Sequence, residues 1–168
     1  MSTFNIKTES LISESRLYES SLKEYIKEYK IEAEHLVFQA SCHSVEEAVR
    51  ASGAAPEFFV KNICLIDNRG NLVVAIVRGK DSVSSSRIGK VLNSESPRAA
   101  FPEEILQKSG YPCGGVPSFG YESQFLIDPK VMEMEIVYTG GGSTYSLVKI
   151  TPAELVKANN GTVVRIRR

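Results

Sequence analysis

The stretch FFVKNICLIDNRGNLVVAIVRG, residues 58–79, contains two β-rich runs separated by a short polar segment. Val, Ile, Leu and Phe dominate both runs, and runs of this kind bounded by Asn, Asp and Gly are typical of β-strands. The segment NRGN at 68–71 supplies turn-forming residues. The stretch therefore predicts a β-hairpin whose turn lies around Asn68 to Asn71.

The sequence on both sides of this hairpin predicts helices and short strands in irregular order. The predicted helices cover residues 14–29, 44–53, 85–93 and 102–110, and a last helix begins at Pro152. The predicted strands cover residues 34–40, 97–100, 124–129, 133–140, 144–150 and 161–168. Strands outnumber helices and do not alternate with them regularly, which argues against a doubly wound sheet. The pattern instead favours an α+β fold, in which helices pack outside a mixed sheet or barrel. We expect one domain over residues 1–168, with residues 1–30 as a helical segment packed on it.

Composition and charge restrict the classes of protein to which this chain can belong. Of its 168 residues, 42% are hydrophobic and 24% are charged, which is ordinary for a globular protein. Twenty Lys and Arg balance twenty Asp and Glu, so no overall charge attracts nucleic acid or a membrane. The N-terminus has no signal-peptide core, and no apolar run approaches membrane-spanning length. We therefore expect a cytoplasmic protein without a membrane partner.

The cysteines and histidines indicate neither a disulfide framework nor a metal site. The chain has three cysteines at wide spacing, and an odd number argues against a set of paired bridges. It has two histidines, and neither C-x-x-C nor H-E-x-x-H occurs. We expect no metal and no cofactor.

Lys61 is the one charged residue in the run FFVKNICLI. Because side chains alternate between the faces of a strand, Lys61 is predicted to share a face with Phe59 and Ile63. If that face is the core side, the ammonium group is buried or lies at the mouth of a cavity, and burial is costly without a partner. The pattern alone favours the alternative, a lysine at the strand end whose amine reaches water.

Two glycine-rich segments follow, SGYPCGGVPSFG at 109–120 and YTGGGSTY at 138–145. Gly114 and Gly115 allow positive φ and a close approach of the backbone to a ligand, and their N–H groups could form an oxyanion hole. Glycine and proline are also common in ordinary loops. Ser118 does not match the G-x-S-x-G nucleophile motif, and the second segment is better explained as a hairpin turn than as a phosphate-binding loop.

The order of these segments resembles the YbaK/ProX family. The resemblance rests on SVEEAVRASGAAPEFFVKNICLI, NLVVAIVRG, GYPCGGVPSFG and GGGSTYSLVKITPAELV, and it covers roughly residues 31–168. Members of this family are stand-alone aminoacyl-tRNA deacylases, similar to the editing domain inserted in bacterial prolyl-tRNA synthetases. The resemblance implies a mixed, largely antiparallel β-barrel-like sheet surrounded by helices.

The resemblance also implies a site. Its implied catalytic residues are Lys61, which would contact the terminal nucleotide or the ester, and Gly114 and Gly115, whose amides would stabilise the oxyanion. Its implied substrate-binding residues are Phe38, Val116, Pro117, Ser118, Phe119, Gly140, Gly141 and Gly142. Departures from the family pattern at Phe38, Cys113 and Ser146 or Leu147 leave the amino-acid specificity open.

Two functions are compatible with this resemblance. The first is a trans-editing hydrolase that removes a wrong amino acid from aminoacyl-tRNA, with proline tRNA and a synthetase as candidate partners. The alternative is a non-catalytic module of the same fold that binds a tRNA end or a synthetase. The glycine loop contains no histidine, Asp or Glu, so for the hydrolase the family's use of the terminal ribose hydroxyl implies substrate-assisted catalysis.

Overall fold

A computed structural model describes residues 3–168 of the chain, with side chains from residue 7 onward. The helices in these residues are α1 (Thr3–Glu28), α2 (Val45–Ser52), α3 (Ser85–Val91), α4 (Pro102–Ser109), α5 (Pro129–Met132) and α6 (Pro152–Asn159). The strands are β1 (Ala33–Val37), β2 (Val60–Ile66), β3 (Leu72–Arg78), β4 (Arg98–Ala99), β5 (Gln124–Ile127), β6 (Val137–Gly140), β7 (Ser146–Ile150) and β8 (Thr162–Val163).

The hairpin predicted for residues 58–79 is confirmed and lies in the middle of the larger sheet. β2 and β3 pair antiparallel from Val60 opposite Arg78 to Ile66 opposite Leu72. The Asp67 carboxylate accepts hydrogen bonds from the backbone N–H groups of Arg69 and Asn71, at 2.9 and 2.8 Å. These bonds fix the turn because they satisfy backbone donors that the strands leave unpaired.

The strands form two sheets, and the α+β class is confirmed. The five-stranded sheet has the order β4-β2-β3-β5-β8, with β5 parallel to both β3 and β8. The three-stranded sheet has the order β1-β7-β6 and is antiparallel. Within residues 3–168 the sheets do not close into a barrel. β4 pairs only with Leu65 and Ile66, so the first half of β2 is open on that side, and a parallel bridge from Phe59 to Tyr138 links it to β6.

The main core lies between the two sheets. Alternate residues of β2 and β3, such as Cys64 and Ile76, pack there against Val148 of β7 and Leu155 of α6. The opposite face of the hairpin packs Leu65 and other residues against Ile88 of α3. Burial of both faces explains why β2 and β3 are nearly continuous apolar runs.

Helix α1 is longer than the predicted segment 14–29. The spacing of its apolar residues predicted only the part of the helix that packs on the main core. In that part Leu22 is fully buried, and Tyr18 and Tyr25 contact the core. Residues 7–14 are exposed, so the helix extends beyond its buried stripe. Glu19 is buried, and its carboxylate accepts a hydrogen bond from Ser143 Oγ at 2.7 Å. Of the helices in the described part of the chain, none combines the length and the apolar character that crossing a bilayer requires.

The C-terminal strand predicted for 161–168 is reduced to Thr162–Val163. The reason is Asp128, which follows β5 and is fully buried. Its carboxylate accepts the backbone N–H groups of Ile166 and Arg167, at 3.0 and 3.1 Å, and the Arg167 guanidinium at 2.7 Å. These donors are therefore taken by a side chain rather than by a neighbouring strand.

Candidate functional site

A cavity of about 360 Å³ lies beside the open first half of β2. The first turns of α2 form one wall, with Val45 and Ala48, and β6 forms another, with Tyr138. The Tyr138 ring stacks on Phe59 at 5.1 Å between ring centroids. No Asp or Glu lines the cavity among the described residues, so its formal charge comes from Lys61.

The structure brings some of the predicted site residues to this cavity and places others behind its wall. Those that line it are Lys61, Gly114, Val116 and Gly140. Those that do not are Phe38, Gly115, Pro117, Ser118, Phe119, Gly141 and Gly142. Phe119 is fully buried in the main core, and Phe38 packs in a cluster with Phe59. In this structure the second group supports the cavity rather than lining it.

The two glycine-rich segments are packed directly against each other. Gly142 N–H donates to Gly115 O at 2.8 Å, and a Cβ on Gly115 would lie 2.7 Å from the backbone carbon of Ser143. A Cβ on Gly140 would collide with the carbonyl oxygen of Val116. Because atoms at these separations overlap, the segments need glycine for backbone-to-backbone contact.

Within the adjacent pair Gly114 and Gly115, the positive φ occurs at Gly114, at 88°, and not at Gly115. The Gly115 N–H donates to Pro112 O at 3.0 Å and is therefore engaged within the turn. The structure describes no hydrogen-bond acceptor for the Gly114 N–H. Of the two amides suggested for an oxyanion hole, that of Gly114 is the one left unoccupied at the cavity.

A buried polar network holds the first glycine segment against β2 and β6. Asn62 Nδ2 donates to Val116 O and to Thr139 Oγ1, both at 2.9 Å. Ser118 Oγ donates to Asn62 Oδ1 at 2.7 Å and lies 2.6 Å from Thr139 Oγ1. Sequence reasoning missed Asn62 and Thr139. The available signal was a second polar residue directly after Lys61 in an apolar run.

We expect Asn62→Ala to lower the free energy of unfolding by about 1–3 kcal/mol, because Val116 O loses its donor in a buried position. The deacylation that the family resemblance implies should fall too, because Val116 and Thr139 both line the cavity. Thermal denaturation and a turnover assay measure the two effects. Asn68→Ala, an exposed change in the hairpin turn, is the control. Equal stability of the Asn62 variant would show that the network does not hold the loop.

Lys61 lines the cavity, which is one of the two positions that its strand pattern allowed. It is half-buried, and within the described side chains it has neither a hydrogen bond nor an ion pair. A half-buried cation without a protein partner is available to an anionic group of a ligand.

All three cysteines line the cavity, but two of them are poor nucleophiles. Burial raises the pKa of Cys42 to about 11 and that of Cys64 to about 12, with the nearby Cys113 adding to the second shift. Both thiols are therefore protonated at neutral pH, and the thiolate is the reactive form. Cys113 is exposed, and none of the three forms a disulfide.

The two histidines have different surroundings. His35 Nε2 lies 2.7 Å from Gly141 O, and burial lowers the pKa of the ring. A neutral ring that donates from Nε2 supports the second glycine segment. His43, by contrast, lines the cavity and contacts Gly114. His43 is far from Gly114 in the sequence, so the sequence gave no reason to expect this contact. Among the described residues no group of three His, Cys, Asp or Glu could hold a metal ion.

The part of the chain that forms the cavity is similar to known proteins. A family model, the aminoacyl-tRNA editing domain, matches residues 39–158, which include the cavity residues. The uncharacterized protein YwhH of Bacillus subtilis is 24% identical over 137 residues, which cover 80% of this chain and 87% of that protein.

A curated protein and a solved structure whose names refer to prolyl-tRNA synthesis are also similar to this chain. The proline–tRNA ligase of Thermotoga neapolitana is 27% identical over 123 residues, which cover 70% of this chain but 21% of the ligase. A crystal structure of a proposed trans-editing enzyme for prolyl-tRNA synthetase superposes with a TM-score of 0.82 at 22% identity. The match covers 90% of this chain and 97% of that structure, and it shows that the fold is shared.

Proposed function

This chain belongs to the aminoacyl-tRNA editing domain family, and on that premise we propose that it hydrolyses the ester bond of mischarged aminoacyl-tRNA. The observation that carries the proposal is the cavity beside β2, where, among the residues that the structure describes, Lys61 has no protein partner and no carboxylate lines the wall. Such a cavity favours an anionic group, either a phosphate of the tRNA end or the oxyanion that forms during ester hydrolysis.

The cavity supplies two groups for the reaction. Lys61 would hold a phosphate or polarise the ester carbonyl, and the Gly114 N–H would donate to the oxyanion as water attacks. Because the glycine segments are locked by backbone contacts, this donor is held in place before the substrate binds. Preorganised donors of this kind stabilise a developing charge without a cost of reorganisation during the reaction.

The proposed substrate is free aminoacyl-tRNA, with proline tRNA as the first candidate. The chain spans 21% of the Thermotoga neapolitana proline–tRNA ligase, in which the similar segment is part of a much longer protein. We propose that this chain acts in trans, on tRNA that a synthetase has already charged. A synthetase that delivers the tRNA is a candidate partner.

A panel of mischarged tRNAs tests this function. Each member is incubated with purified protein, and the released amino acid is counted against correctly charged prolyl-tRNA. We expect release from at least one mischarged tRNA and slower release from prolyl-tRNA. Binding to a tRNA end without release from any member would instead support a non-catalytic module of the same fold.

A further inference from the structure

The residues around α3 and those at the end of the chain are strongly basic, although the whole chain has no net charge. The basic residues of segments 80–90 and 161–168, which together contain one acidic residue, Asp81, are Lys80, Arg87, Lys90, Arg165, Arg167 and Arg168. The two segments are joined by backbone hydrogen bonds, from Ser84 N–H to Ile166 O at 2.7 Å and from Arg168 N–H to Ser82 O at 3.0 Å. The fold therefore collects positive charge from two distant parts of the chain on one surface.

Three arginines of this surface keep their charge free. Arg167 is different, because its guanidinium donates to the buried Asp128 carboxylate at 2.7 Å. The arginines that are exposed and form no ion pair with any described side chain are Arg87, Arg165 and Arg168. We refer to these three residues as the α3 basic patch. An exposed cation without a carboxylate partner is available to an anionic group of another molecule.

The start of α3 holds the patch together and adds hydroxyl groups to it. Arg87 N–H donates to Ser84 Oγ at 3.3 Å, and Ser84 Oγ lies 3.1 Å from Ser86 Oγ. Arg168 Nε donates to Val83 O at 3.3 Å, which ties the last arginine to the same segment. Arginine guanidinium and serine hydroxyl groups are among the donors that contact phosphates in nucleic-acid complexes.

The α3 basic patch lies on the same face of the larger sheet as Lys61. Lys61 stands directly opposite Val77 in the pairing of β2 with β3, and residues opposite each other on antiparallel strands share a face. Val77 packs there in one cluster with Ile88 of α3 and with Ile166. A chain of phosphates can therefore run from Lys61 at the cavity to the α3 basic patch without crossing the sheet.

We propose that the α3 basic patch binds the phosphate backbone of the tRNA stem that leads to the aminoacylated end, an inference that rests on the proposed function. With the ester in the cavity and a terminal phosphate at Lys61, the stem continues over α3. Proteins recognise RNA duplexes largely by shape and by contacts to phosphates and 2′-hydroxyl groups. Phosphate contacts fix the position of the nucleic acid without reading its bases. The patch thus positions the stem and leaves the choice of amino acid to the cavity.

Binding of uncharged tRNA over a range of salt concentrations tests this surface without requiring hydrolysis. Each lost phosphate contact reduces the slope of log affinity against log salt by about 0.7–0.9, so replacing Arg87, Arg165 and Arg168 together by alanine should reduce it by about 2–3. Lysine at the same three positions should keep most of the slope, because it retains the charge. Arg69→Ala is the matched control, since Arg69 is an exposed arginine in the hairpin turn, at the end of the hairpin away from Lys61.

Thermal denaturation reports folding, and the double variant Arg87→Ala/Arg165→Ala keeps the hydrogen bond of Arg168 if the triple variant is unstable. In turnover, the double variant should lose far more kcat/KM on full-length aminoacyl-tRNA than on an aminoacylated fragment limited to the unpaired 3′ end. Equal losses on the two substrates would overturn the patch, as would a folded triple variant with the tRNA affinity and salt slope of Arg69→Ala, or a wild type without measurable affinity for tRNA. If the variants lose tRNA binding while the wild type releases no amino acid, the patch stands and the proposed function fails.

Discussion

Lys61→Ala should lower the deacylation rate by at least about 100-fold, which is the scale of losing one electrostatic stabiliser in an active site. The thermal midpoint should hardly change, because the structure describes no hydrogen bond or ion pair that folding would lose at Lys61. Released amino acid and thermal denaturation measure the two quantities on the same preparations.

A second lysine provides a matched control. Lys149 is also half-buried in a strand, β7, but it does not line the cavity. Lys149→Ala removes the same charge and should retain activity. If Lys61→Ala is as active as Lys149→Ala, Lys61 has no part in the reaction. If instead its stability falls sharply, the lysine serves folding.

Gly115→Ala should lower both stability and activity, although Gly115 does not adopt a positive φ. The new methyl group would lie 2.7 Å from the backbone carbon of Ser143, so one of the two glycine segments must move. Overpacking of this kind costs about 1–3 kcal/mol. Displacement by about 1 Å of the adjacent Gly114 amide and Val116 should cost roughly 100-fold in rate.

Gly70→Ala separates the effect of displacement from the effect of lost stability. Gly70 lies in the β2–β3 turn at a φ of 83°, with nothing within 4 Å of an added Cβ. Alanine there should cost about 1–2 kcal/mol in backbone strain and leave activity intact. Wild-type turnover by Gly115→Ala would show that the contact with Ser143 relaxes without disturbing the cavity.

Local sequence patterns were sufficient for most elements of this fold, although not for α5 or for the full extent of α1. The hairpin at 58–79, the helix caps and the turn at Gly140–Gly142 depend on residues that are close in the sequence, such as Asp67 and the amides it accepts. The position of Lys61 in a strand and of the glycines in a loop could also be predicted, because both depend on neighbouring residues. The family pattern then indicated that these two segments belong to one site.

Only the tertiary structure decided which side chains meet in that site. Asn62 and Thr139 bond across 77 positions, and Glu19 reaches Ser143 across 124. His43 meets Gly114 only because the segment before α2 is anchored to the β6–β7 turn. The same packing engages the Gly115 amide and places Ser118 and Phe119 behind the wall. The sequence by itself determined most of the strands, the turns and the lysine, because alternation and turn chemistry act over a few residues. The partners of those groups depend on how two sheets pack, which no short stretch of sequence encodes.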